Sequence, residues 1–159
     1  MFEHLFTPIK IGSMELKNRI GLPPMTVGYG QENGNVTDRH NSYYGARAKG
    51  GASLIMTESC AIHPDRKYGL HPLGLYDDAQ IPSWENLAKE IQSYGAKVGC
   101  QLMDPGPEGM ELLTGIQPVG PSAVLSRSVF RSLPREMTTG EVEAVVEDFA
   151  EAVCRARDA

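Results

Sequence analysis

VTDRHNSYYGARAKGGASLIMTES, residues 36–59, puts a helix directly ahead of a buried strand. Thr37-Asp38 suits a helix N-terminus, Tyr43, Tyr44, Ala46 and Ala48 give the helix its apolar residues, and Gly50-Gly51 ends it. SLIMT, residues 53–57, is a short continuous apolar run of the kind that fits a strand covered on both faces. A helix feeding such a strand predicts a parallel sheet with right-handed crossovers.

The flanking sequence repeats this unit. Residues 19–22 read as a strand stopped by Pro23-Pro24, and IKIGSMEL, residues 9–16, reads as a small β-hairpin turning at Gly12-Ser13. Beyond Pro82, Ile81, Trp84, Leu87, Ala88 and Ile91 fall three or four apart and form one helical stripe, with Gly95 at the C-terminal cap. KVGCQL, residues 97–102, is a third strand. Thr138-x-x-Glu141 is a capping box opening a last helix, whose apolar stripe is Val142, Val145, Val146, Phe149 and Val153. The order is βαβαβα after the hairpin, an α/β fold.

Two connections are long, residues 58–81 and 103–137, and both leave the C-terminal end of a strand. That is the ligand-binding face of parallel α/β folds. Three residue groups therefore draw attention: Pro24-Met25-Thr26 after the first strand, Glu58-Ser59-Cys60-Ala61 after the second, and Gln101-Leu102 at the end of the third. A Thr hydroxyl and a Gln amide suit a flat, hydrogen-bonding heterocycle, because the amide offers both a donor and an acceptor. Met25 and Ala61 would cover its faces. A strand-end Thr or Gln is otherwise simply solvated or bonded to backbone.

Composition narrows the class. With 159 residues, 41% hydrophobic and 22% charged, the chain can bury a real core. Its net charge of −5 argues against nucleic acid. No apolar run approaches membrane-spanning length, and the N-terminus lacks a signal-peptide pattern, so a cytoplasmic location is expected. Cys60, Cys100 and Cys154 are odd in number and widely spaced, which disfavours a disulfide framework or zinc site; Cys100 and Cys154 read as small buried residues. His4, His40, His63 and His71 are scattered, and only His63 and His71 share a loop that could line a site. Asp104, Glu108 and Glu111 form an acidic cluster that solvent would ordinarily cover, so no metal is expected. The Rossmann, P-loop, nucleophile-elbow and zincin motifs are all missing.

LFTPIKIGSMELKNRI (5–20), PPMT (23–26), residues 36–59, LGLYDDAQIPSWENLAKEI (73–91), GAKVGCQL (95–102) and PREMTTGEVEAVVEDFAEA (134–152) together resemble the NADH:flavin oxidoreductase/old yellow enzyme family, in order and approximate spacing. The likeness is greatest to its 2,4-dienoyl-CoA reductase and ene-reductase branch. The resemblance implies a TIM (β/α)₈ barrel, of which this chain would be the first three βα units. It implies FMN as cofactor, NAD(P)H as electron donor and a small-molecule unsaturated carbonyl compound as substrate. Pro24, Met25 and Thr26 would lie against the flavin, Ala61 would touch it by backbone, and Gln101 would bond its pyrimidine edge.

Asp104 and Pro107 stand where the family typically carries His and Arg, which removes positive charge from this edge, and Gly28 and Tyr29 compete for an aromatic position after the first strand. Catalytic residues are expected beyond residue 159, so the chain reads as a fragment that would be inactive alone. The alternatives are a small open domain, a homo-oligomer pairing its open strand edges, and a non-catalytic truncated paralogue acting as an interaction or assembly module.

Overall fold

The computed structural model describes residues 2–69, 71–127 and 132–159; Leu70 and residues 128–131, within the two long connections, lie outside it. The hairpin forms as the sequence predicts. Strand β1 (Ile9–Ile11) pairs antiparallel with β2 (Met14–Leu16) across Gly12, whose φ of +58° supplies the turn. The first sheet strand, β3 (Gly21–Leu22), stops at Pro23-Pro24 as expected but starts two residues late, because the Arg19 N–H is taken by the Leu5 carbonyl at 2.9 Å and the Ile20 N–H by Asn18 Oδ1 at 3.0 Å.

Helix α1 (Asp38–Lys49) starts at Thr37, and its buried residues His40, Tyr44 and Ala48 recur every four positions. They face β4 (Leu54–Ala61), the central strand, which runs four residues past the predicted SLIMT segment. Strand β6 (Lys97–Met103) pairs parallel with β4 along its length. β4 is also paired parallel by β3 at Leu54 and Ile55, and by the short β5 (Leu73–Gly74) at Cys60 and Ala61. Since β6 takes one whole edge, β3 and β5 share the other, one at each end. β5 is an addition to the three-strand reading.

Between β5 and β6 comes α2 (Ile81–Ser93), entered through a 3₁₀ turn that Asp77 caps by accepting the Ala79 N–H at 2.8 Å. Its stripe Trp84, Leu87 and Ile91 is buried against the sheet, each side chain contributing ~1.5–3 kcal/mol of burial. The Trp84 indole N–H reaches the Gly74 carbonyl at 2.8 Å, so the ring is buried without an orphaned donor. Ile55, Leu73, Leu75, Leu87 and Ile91 are fully enclosed at the centre of this core.

After β6 come a short α3 (Glu111–Thr114), a two-residue parallel pair of β7 (Val119–Gly120) with β8 (Arg135–Glu136), and α4 (Thr139–Asp158). The Thr138 box forms as predicted, with the hydroxyl accepting the Glu141 N–H. The expected stripe of α4 is only half correct. Val145, Phe149, Ala152 and Ala156 meet the core, while Val142, Val146 and Val153 are exposed. The helix turns Ala152 and Ala156 inward and leaves those valines on the flank beside the buried stripe. Among the described residues, no helix is long and apolar enough to cross a membrane.

Candidate functional site

The ladder between β4 and β6 contains one irregularity, and it decides which way the site residues point. Met56 pairs with Gly99 and Ser59 with Gln101, so three steps on β4 match two on β6. This β-bulge inserts one residue and reverses side-chain parity beyond it. Ile55 packs in the helix-covered core before the bulge; Cys60 and Ile62 do so after it. Ala61 therefore faces away from the helices. On β6, Val98, Cys100 and Leu102 contact the same core, so Gln101 also faces away.

Gln101 lies opposite Ser59, two residues before the level of Ala61, or ~6.6 Å along the strand direction. The chain after β3 runs to the same end of β4: the backbone N–H groups of Val27 and Gly28 donate to Glu58 Oε2 at 2.8 and 3.1 Å. Thr26 immediately precedes that tether. The C-terminal ends of β3, β4 and β6 thus bring Thr26, Ala61 and Gln101 to one rim of the sheet. Thr26 and Gln101 are exposed, and among the described residues neither side chain has a hydrogen-bond partner. Met25 is 55% exposed beside them, Pro24 is half-buried, and Ala61 is buried with its carbonyl taken by the Leu75 N–H at 2.9 Å. Free donors and acceptors on a partly apolar rim fit a planar heterocycle bearing amide-like edges.

Sequence reasoning missed what holds this rim. Glu58 and His40 are both fully buried, with Glu58 Oε1 2.9 Å from His40 Nε2. His40 Nδ1 accepts the Thr37 N–H at 3.1 Å, the part a glutamate plays in a capping box, so Nε2 is the ring donor to Glu58. Thr37 Oγ1 donates to the Tyr29 carbonyl at 3.0 Å, and the Glu58 N–H donates to Tyr44 Oη at 2.8 Å. Burial drives the Tyr44 phenol well above its ordinary range. The signal was present in the sequence as His40-x-x-x-Tyr44-x-x-x-Ala48, one helix face. The bulge that turns Glu58 toward that face was not visible.

Arg66 was missed as well. It leaves the loop after β4 and ion-pairs with Asp104 in the loop after β6, Nε to Oδ2 2.5 Å, and with Asp148 of α4. The negative charge that Asp104 brings is thus met by an arginine from the neighbouring loop. Among the described residues, no group of three His, Cys, Asp or Glu side chains is arranged to hold a metal.

His63 does line a cleft, of about 320 Å³, together with Arg66, Lys67, Met110, Pro118 and Arg135. That cleft lies between the two long loops and includes none of Thr26, Ala61 and Gln101. His71 is exposed, and its backbone carbonyl accepts the Gly30 N–H. Cys60, not Cys154, is the enclosed thiol; Cys154 is exposed and Cys100 partly buried.

Comparison with known proteins agrees with this architecture. The model of the NADH:flavin oxidoreductase / NADH oxidase family matches residues 4–159. The chain belongs to that family. Relatives within reach include the NADH oxidase of Thermoanaerobacter brockii, 38% identical over 99% of this chain and 24% of its own length. The NADPH dehydrogenase of Bacillus subtilis is 34% identical over all of this chain and 46% of its own length. Among solved structures, a 2-naphthoyl-CoA reductase bound to 2-naphthoyl-CoA superposes with a TM-score of 0.94 at 31% identity, over 99% of this chain and 26% of that one. Morphinone reductase superposes at 0.85 with 30% identity, over 96% of this chain and 44% of that one. The chain therefore spans a quarter to just under half of these NADH:flavin oxidoreductase relatives.

Proposed function

We propose that these residues form the first three strand–helix units of an FMN-binding (β/α)₈ barrel, in an NAD(P)H oxidoreductase of the ene-reductase type acting on small unsaturated carbonyl compounds. FMN, when bound, supplies hydride transfer from a reduced nicotinamide to an electron-poor alkene. The chain's own contribution is to bind and orient. Gln101 offers an amide donor and acceptor to one edge of the ring system, the Thr26 hydroxyl offers a donor to another, and Met25 and Pro24 give apolar cover. Ala61 brings backbone close with only a methyl group beside it.

The observation that carries this reading is the meeting of Thr26, Ala61 and Gln101 at one end of a parallel sheet, with the Thr26 and Gln101 side chains exposed and unpartnered. The family match over residues 4–159 supports it. The non-catalytic alternative has no observation in its favour. Because these residues cover only part of the relatives' length, flavin held by them alone is expected to be weakly bound and to turn over little.

Amide NMR during an FMN titration tests the reading, since it detects weak binding. The Thr26, Ala61 and Gln101 amides are expected to shift together. Shifts centred on the cleft lined by His63 and Arg135, or no shifts at all, would sink the proposal.

A further inference from the structure

We infer that Glu58, oriented by His40, is a positioning residue: its carboxylate fixes where the segment of residues 24–28 stands, and with it Thr26. The inference deepens the flavin reading and, as far as flavin is concerned, rests on it.

Glu58 is fully buried, and a carboxyl group in that setting persists only when its oxygens are satisfied. Oε1 takes the His40 Nε2–H at 2.9 Å, and Oε2 takes the N–H groups of Val27 and Gly28 at 2.8 and 3.1 Å. The two backbone donors belong to a stretch that follows Pro23-Pro24 and has left the β ladder, so Glu58 takes the place of a strand partner for them. Thr26 is one residue away and has no other hold on the sheet among the described residues.

The hydrogen-bond polarity is set from the far end. The Thr37 N–H, at the start of α1, claims His40 Nδ1 and leaves Nε2 as donor. Tyr44, one turn further along α1, stacks 6.2 Å from the imidazole at an interplanar angle of 8° and receives the Glu58 N–H. The bulge between Met56 and Ser59 turns Glu58 to this side of the sheet. Donation thus converges on the carboxylate from both sides, from the helix start through the imidazole and from the loop amides, and each of these donors meets an acceptor. A buried network of this kind is stiff when complete and costly when one polarity is wrong.

The polarity gives a sharp test. Glu58→Gln keeps size and shape but turns an NH₂ toward a donor, either His40 Nε2–H or the loop amides. His40→Gln keeps an N–H donor near the Nε2 position, while His40→Leu removes it. The test is amide hydrogen exchange at Val27 and Gly28 in the 159-residue chain, with FMN-induced shifts read on the same samples. Glu58→Gln and His40→Leu are expected to speed exchange at both amides by about tenfold or more, and to abolish the FMN-induced shift at Thr26 while sparing that at Gln101. His40→Gln is expected to stay near the parent chain in both.

Should Glu58→Gln not fold, the contrast of His40→Leu with His40→Gln decides alone. Unchanged exchange in the variants, or His40→Gln behaving like His40→Leu, overturns the inference. Loss of loop protection in Glu58→Gln and His40→Leu, together with no FMN shift anywhere in the parent chain, would refute the flavin reading while upholding the tether.

Discussion

Arg66 Nε stands 2.5 Å from Asp104 Oδ2, which joins the loop after β4 to the loop after β6; a second guanidinium nitrogen meets Asp148 on α4. The Nε–Oδ2 approach is an ion-pair contact without hydrogen-bond angles, since neither atom completes a hydrogen bond. The three side chains are 12–26% exposed. One arginine thus ties two loops and the last helix together.

Removing that arginine leaves two partly buried carboxylates facing each other. Arg66→Met is expected to destabilise the fold by about 2–4 kcal/mol in urea unfolding. Adding Asp104→Leu should recover part of the loss, because the remaining carboxylate is then alone. A double variant as costly as the sum of its singles would show that the two residues do not interact.

The start of α4 predicts an acid response. The Arg135 guanidinium, followed by the Thr138 N–H and hydroxyl, holds the Glu141 carboxyl at about 2, against an ordinary 4.5. A lowered folded-state value means a contribution that is complete above about pH 4.5 and lost as pH falls toward 2. Thermal midpoints measured across that window should fall less steeply for Glu141→Gln than for the parent chain. The difference should shrink in salt, since the group is exposed. Parallel pH profiles would contradict it.

How far the sequence alone reached can be judged from particular elements. The hairpin, α1, α2 and the Thr138 cap follow from turn glycines, caps and helical periodicity, all local signals. The rim residues Thr26, Ala61 and Gln101 were legible because strand ends in an α/β order can be counted. The tether between Glu58 and His40 was not, since it depends on one extra residue in β4, and no composition rule marks a bulge. Nor was Arg66, whose partners lie 38 and 82 positions away.

Gly34 gives a backbone prediction. Its φ is +78°, and a Cβ there would lie 3.0 Å from the Gly74 backbone. Its carbonyl also takes the Gly74 N–H at 2.9 Å. Gly34→Ala should cost about 1–3 kcal/mol by denaturant titration. A neutral result would mean that the segment can move away from β5 freely.

The three thiols should react in order of access. Cys154 is exposed, whereas Cys60 is enclosed, and burial, followed by the neighbouring Cys100, pushes its thiol well above the usual range. Alkylation read by mass spectrometry should label Cys154 first and Cys60 only on unfolding. Early labelling of Cys60 would contradict the packing described for the core.

Thr26→Ala and Gln101→Ala are each expected to weaken FMN binding to this chain by about three- to tenfold, the usual net worth of one hydrogen bond. Fold stability should hardly change, since both side chains are exposed and bonded to nothing among the described residues. Two variants with parent-like affinity would remove both residues from the proposed site.

The extra residue in β4 makes the length of this strand a harder constraint than its composition. Trimming one position between Met56 and Ser59 would swap inside for outside in everything that follows up to Ile62, pulling Cys60 and Ile62 out of the oily interior and swinging Glu58 away from its imidazole. Many single replacements here should be survivable, yet a one-codon deletion should not, so drift in this stretch is expected to proceed by exchange of letters at fixed count.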